Sequence, residues 1–114
     1  MPVQRWKDAE REQMNPQVVR QVLHGQNITI ARLELKKGAV VPEHHHVNEQ
    51  IANVIEGAIV FHVGGEEFVV NAGESFLVPP NIPHKVSVLE DAVVYDVFSP
   101  VREDWLRGDD AYLR

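Results

Sequence analysis

The sequence predicts an all-β fold, a barrel or two-layer sandwich, on three observations. Short apolar and β-branched runs alternate with polar residues at a period of two. Gly, Pro and Asn punctuate these runs at short, even intervals. No long stretch carries the 3.6-residue period of an amphipathic helix.

Residues 1–16 are polar and irregular, and Glu10, Arg11, Glu12 and Gln13 offer at most one helical turn. Such a segment reads as an arm of the kind that covers a sheet edge. Residues 18–23 form the first expected strand, and His24-Gly25-Gln26-Asn27 a turn, since Gly and Asn accept positive φ. In residues 28–35, Ala31, Leu33 and Leu35 alternate with Ile30, Arg32 and Glu34 before Lys36-Lys37-Gly38 turns the chain. Further strands are expected at 51–55 and 58–63, parted by Glu56-Gly57, then at 67–70, 75–78, 84–89 and 92–98. Residues 102–113 are expected to add a short helical tail.

The 114 residues fit one domain, 1–114, with its core at about 28–100. A domain this small has little surplus stability, so a homodimer is expected. The net charge of −6 argues against nucleic acid and anionic membranes, which require basic surfaces. It leaves room for a small anionic ligand, because one metal ion or arginine overrides the overall field locally. The absence of cysteine excludes disulfides, thiolate metal sites and cysteine nucleophiles. The first residues lack the apolar stretch of a signal peptide, and no segment has the length of a membrane span. A cytoplasmic protein is therefore expected.

Four of the six histidines fall in two clusters, His44-His45-His46 and His84. On a strand, His44 and His46 share one face and His45 takes the other. Gln50 follows after the bend Val47-Asn48-Glu49. His84 leaves a proline-rich turn and opens a strand whose same-face residues, Val86 and Val88, are apolar. A lone histidine is more often a surface or hydrogen-bonded core residue, and that reading stands for His24, His45 and His62. The paired spacing together with His84 favours a metal site at a barrel mouth.

These residues resemble the cupin pattern. The first cupin motif reads Gly38-Ala-Val-Val-Pro-Glu-His44-His45-His46-Val-Asn-Glu-Gln50-Ile-Ala-Asn-Val-Ile-Glu-Gly57, and the second runs from Gly73 through Pro79 to His84. Asn81 stands where a glycine is usual, a mild change because Asn tolerates left-handed backbone. Val88 stands where the pattern has asparagine. The resemblance implies a cupin double-stranded β-helix, or jelly-roll barrel, and a metal held by His44, His46, Gln50 and His84. Gln50 replaces the usual glutamate ligand, which leaves more of the cation's charge uncancelled and favours anionic ligands. An imidazole-rich set suits one divalent transition metal per chain, Ni, Zn, Mn or Fe.

The last strand puts Ala92, Val94, Asp96 and Phe98 on one face. If that face is interior, Asp96 is a buried carboxylate that needs a partner or a function. The bland alternative is a hydrogen bond to a neighbouring loop. Ser99-Pro100 turns the chain and can bring Arg102 across the opening, although Arg102 also suits a salt bridge to Glu103 or Asp104. Trp105 and Leu106 read as packing residues that clamp the tail. The run Asp-x-Phe-Ser-Pro-x-Arg-x-Asp-Trp resembles the C-terminal signature of the small cupins called KdgF, or pectin degradation proteins. That resemblance implies ring opening and tautomerisation of 4,5-unsaturated monouronates from pectin or alginate to linear keto acids. It implies Asp96, Phe98 and Arg102 as further active-site residues and a small anionic sugar acid as substrate. Another cupin enzyme, a dioxygenase or sugar isomerase, and a non-catalytic binder of small acids are the competing readings.

Overall fold

Two long antiparallel strands, Glu49–Val63 and His84–Ser99, run through the computed structural model, which describes residues 3–114. Numbered in chain order, the strands are β1 (Glu12–Asn15), β2 (Val18–His24), β3 (Thr29–Leu35), β4 (Val40–His44), β5 (Glu49–Val63), β6 (Glu66–Asn71), β7 (Ser75–Val78) and β8 (His84–Ser99). A short helix α1 (Glu103–Leu106) and two 3-10 turns, Trp6–Asp8 and Ala111–Leu113, complete the described residues. None of the described helices is long and apolar enough to cross a membrane.

β5 and β8 pair along their whole length, and each changes its second partner halfway. The first half of β8 pairs with β4, through His44↔His84 and Val40↔Ser87, and the second half with β3, from Leu35↔Ala92 to Thr29↔Phe98. The start of β5 pairs with β7 and its end with β6. One layer therefore reads β1-β2-β3-β8-β5-β7 and the other β4-β8-β5-β6, with β5 and β8 common to both. This is the jelly-roll barrel expected from the sequence.

The fold line between the layers lies where the β5–β8 register shifts, between Val54 and Ile59. Bulges of this kind bend a strand and sharpen its twist. Gly57 sits in the crease at φ +78°, and a Cβ there would lie 2.1 Å from the carbonyl oxygen of Asp91. Only glycine satisfies both the left-handed backbone and that contact. Glu56-Gly57 therefore marks a crease and not the strand end expected from the sequence. The segments expected at 51–55 and 58–63 are one strand, as are 84–89 and 92–98.

Alternation along the strands fills the space between the layers. Ala31, Leu33, Leu35, Val54, Ile59, Phe61, Val86, Val88 and Val94 are all buried there. The cluster also takes in Met14 and Val18 from β1 and β2, and Trp105 and Leu113 from the tail. The N-terminal arm is more ordered than expected. Glu12–Asn15 is a strand on β2 and not a helical turn, because the β2 edge supplies hydrogen-bond partners and the core accepts Met14. Met1 and Pro2 of that arm lie outside the described residues. The tail forms one helical turn and one 3-10 turn. Trp105 is buried as expected, whereas Leu106 is 60% exposed and clamps nothing.

Gly57→Ala should lower stability by about 3 kcal/mol or more, through left-handed strain plus the clash with Asp91. Gly64→Ala, also left-handed but facing open space, should cost only about 1 kcal/mol. Urea denaturation midpoints of the two variants measure the difference. Equal, small losses would show that the crease does not depend on close approach.

Candidate metal centre

His44 closes β4 and faces His84, the first residue of β8, across the β4–β8 ladder. His46 lies beyond the end of β4 in the bend before β5, so it does not share a strand face with His44 as the spacing suggested. The bend brings it back all the same. The Asn81 amide, on the left-handed residue at φ +61°, donates to the His46 carbonyl at 2.7 Å. Buried Asn48 donates to the carbonyl of Pro100 at 2.6 Å and ties the bend to the chain leading to Arg102. Gln50, second in β5, points inward opposite Phe98. His45 and Glu49 are exposed. His24 bonds to Thr29 and His62 to Ser87, both away from this cluster.

Each of the three clustered imidazoles is oriented by a backbone carbonyl. Nδ1 of His44 lies 2.9 Å from the Pro42 oxygen, Nδ1 of His46 3.0 Å from that of Asn48, and Nδ1 of His84 2.8 Å from that of Ile82. A carbonyl only accepts, so Nδ1 carries the hydrogen and Nε2 keeps a lone pair in all three rings. One nitrogen from each ring falls within 4.8 Å of those of the other two. His84 Nε2 is buried without a hydrogen-bond partner. His46 Nε2 lies 3.1 Å from Gln50 Oε1, two lone-pair atoms facing each other. The His46–Gln50 separation matches donors that share one cation at bond lengths of about 2.0–2.2 Å, which sit roughly 3 Å apart, and the imidazole nitrogens gathered within 4.8 Å complete a donor set suited to a divalent metal.

Burial lowers the basicity of all three imidazoles. His44 and His46 are held down to about 4, with the Arg102 charge and neighbouring imidazoles adding to desolvation. All three are therefore neutral at pH 7, the form that ligates metal. Asp96 has the opposite shift. Burial pushes its carboxyl up to about 6, while the Gln50 side chain and the Arg102 charge pull it down. Its Oδ1 is buried and unpartnered. With Asp96 ionised, the Gln50 amide turns its NH2 toward the carboxylate and its oxygen toward His46, the orientation a metal ligand needs.

Asp96, Gln50, His44 and His84 line one cavity above an apolar floor of Leu33, Ile59 and Phe61. Phe98 is buried between the ligand cluster and the tail, 5.6 Å edge-on to His46 and 5.2 Å from Trp105. The Arg102 guanidinium stacks at 4.6 Å on Phe98 and 4.1 Å on Trp105. Its Nε and Nη2 donate to the two carboxylate oxygens of Asp104 at 2.9 and 2.8 Å. The sequence reading of an Asp104 salt bridge thus holds, but on a guanidinium that is 1% exposed and lines the cavity. Tyr112 also lines it, with its ring 4.3 Å from that of His44. No sequence spacing pointed to Tyr112, which lies 28 positions after His84 in a polar tail.

The metal-free protein should lose stability as pH falls from 7 to 4.5. The lowered histidines are neutral in the folded state while the unfolded chain takes up protons at about 6.5, so their contribution is present above 6.5 and lost as pH falls toward 4. Asp96 runs the other way, its contribution being full below 3.8 and lost as pH rises through about 6. Three histidines outweigh one carboxyl. Asp96→Asn should therefore steepen the fall. Urea midpoints of chelator-treated protein at the two pH values measure both effects, and a flat wild-type profile would contradict them.

A family model described as the cupin domain matches residues 31–98, from β3 to the end of β8. Pectin degradation protein KdgF of Dickeya dadantii is 36% identical over 72 residues, 61% of this chain and 66% of that protein. The chain thus spans about two thirds of that relative's length. The solved structure of KdgF from a Halomonas species superposes with a TM-score of 0.80 at 28% identity, over 87% of this chain and 94% of that one. An RmlC-like cupin from Shewanella frigidimarina does so with a TM-score of 0.80 at 32% identity, over 87% and 90%. The matched family span includes His44, His46, Gln50, His84, Asp96 and Phe98 and ends before Arg102 and Tyr112.

Proposed function

This chain belongs to the cupin-domain family, and on that premise we propose that it is a metal-dependent enzyme that opens and tautomerises 4,5-unsaturated monouronates. The observation that carries the proposal is Asp96, a buried carboxyl with a free oxygen in the cavity lined by His44 and His84, two of the three convergent imidazoles. A pure binder of acids gains nothing from such a group, since an interior carboxylate repels them. The likeness to two KdgF proteins supports the substrate class.

In this reading His44, His46, His84 and Gln50 hold one divalent cation. The cation supplies Lewis-acid stabilisation of negative charge on a substrate oxygen. The chain's own residues do the rest. A cyclic unsaturated uronate carries a hemiacetal at C1 and a C4–C5 double bond conjugated with its carboxylate. Ring opening removes the proton from the C1 hydroxyl and breaks the bond between C1 and the ring oxygen, giving a C1 aldehyde and an enolate whose oxygen is on C5. Return of a proton to C4 gives the C5 ketone, so the change is an isomerisation with no co-reactant. Asp96 takes up and delivers the proton, and a carboxyl tuned to about 6 serves both directions near neutral pH. Phe98 closes the wall between the ligands and the tail and keeps out bulk water. Arg102 meets the substrate carboxylate through Nη1, since its Nε and Nη2 are engaged with Asp104.

Metal-loaded protein should remove the absorbance of 4,5-unsaturated galacturonate, and a chelator should abolish the loss. Asp96→Asn should retain metal and lower turnover by about 10²–10⁴-fold. Unchanged turnover in this variant would remove the proton-transfer role. Inactivity of the wild type on the galacturonate and mannuronate-derived substrates, with each of Ni, Zn, Mn and Fe supplied, would overturn the uronate reading.

A further inference from the structure

The C-terminal tail is fastened to the barrel at several points. Arg20, on β2, donates to Asp110 at 2.8 Å, and both side chains are 4% exposed. Arg114 closes on the same carboxylate, and Asn15 of β1 donates to the carbonyl of Leu113 at 2.9 Å. The 3-10 turn Ala111–Leu113 is thereby held against the cavity, with Tyr112 stacked on His44 at an interplanar angle of 23°.

The hydrogen bonding of the Tyr112 hydroxyl is lopsided. Its oxygen accepts from Arg102 Nη2 at 2.8 Å and from Trp105 Nε1 at 3.0 Å. Guanidinium and indole nitrogens only donate, so both lone pairs of the phenol are taken. Its own proton has no acceptor among the described residues. Arg102 Nη1 is also without a partner there, its other edge being bound to Asp104 and Tyr112. Two donors without acceptors thus stand together on the wall of a cavity that also holds the metal ligands. Two adjacent donors, one of them cationic, match the two oxygens of a carboxylate.

We propose that the Tyr112 hydroxyl, beside Arg102 Nη1, binds the substrate carboxylate and makes Tyr112 a specificity-determining residue for sugar acids over neutral sugars. The proposal rests on the uronate reading above and adds to it a residue from outside the family's matched span. The β1 and β2 contacts with Asp110 and Leu113 acquire a purpose in this account, because they set the height of the phenol over the cavity.

The test is calorimetric titration of the metal-loaded full chain with galacturonate, a saturated and unreactive probe, and with galactose, its neutral counterpart. The comparison is between wild type and Tyr112→Phe, which keeps the ring over His44. Galacturonate affinity should fall roughly tenfold in the variant, the size expected for one hydrogen bond to a charged group. Galactose affinity and metal content should not change. Equal galacturonate affinity in the two proteins, or a parallel loss for both sugars, would overturn the proposal, the second result marking a merely structural role. If Tyr112→Phe does not fold, Tyr112→His keeps a flat ring and an N–H donor. That variant should retain part of the galacturonate preference, and its complete loss would count against a donor at this position. A protein that prefers galacturonate through Tyr112 yet leaves unsaturated uronates unconverted would sink the proposed activity and keep this site. One that converts them without dependence on Tyr112 would do the reverse.

Discussion

The pairing of β5 with β8 is the constraint from which the rest of the molecule follows. Each strand serves both layers, so neither layer exists without it. The crease at Gly57 turns the pair over on itself and makes the two inner faces meet. The same pairing delivers the site. Gln50 at one end of β5 stands opposite Phe98 near one end of β8, and His84 at the other end of β8 meets His44 on β4. A one-residue slip of β8 would send Asp96 and Phe98 to the outer surface together and leave Gln50 without them.

Burial then decides the chemistry of what the strands bring together. Desolvation keeps the three imidazoles neutral and the carboxyl of Asp96 near neutrality in its affinity for a proton. Backbone carbonyls fix the tautomers, and the two lone pairs of His46 Nε2 and Gln50 Oε1 face each other at 3.1 Å. Such an arrangement carries unfavourable contacts in the protein by itself and is relieved by a cation. Among the described residues the Arg102 guanidinium lies against this cluster, and the Asp104 carboxylate pairs with it. The tail therefore adds directed donors to the site from a charge that is already paired.

Much of this was legible in the sequence, and the parts that were not have physical reasons. The His-x-His spacing, Gln50 and His84 identified the cluster, and strand parity put Asp96 and Phe98 inside. Parity worked because β8 is regular from Ala92 to Phe98. For His46 the parity argument reached the correct side chain by the wrong geometry, since β4 stops at His44 and a bend held by Asn48 and Asn81 does the work. β1 was missed because Glu12–Asn15 has one buried apolar residue, Met14, and gains its strand character from the β2 edge. Tyr112, Asp110 and Arg20 were missed for a related reason. Arg20 and Asp110 meet across 90 positions of sequence, and Tyr112 gains its place by stacking on His44 of β4, contacts that leave no local period or motif.

The central claim is that the three Nε2 atoms and the Gln50 oxygen converge on one cation. Titration of metal-free protein with Co²⁺, read by its visible absorption, tests this without reference to any substrate. The account predicts a saturable spectrum that ends at one equivalent per chain and is lost in His84→Ala. Failure to saturate, or an unchanged spectrum and endpoint in His84→Ala, would contradict it.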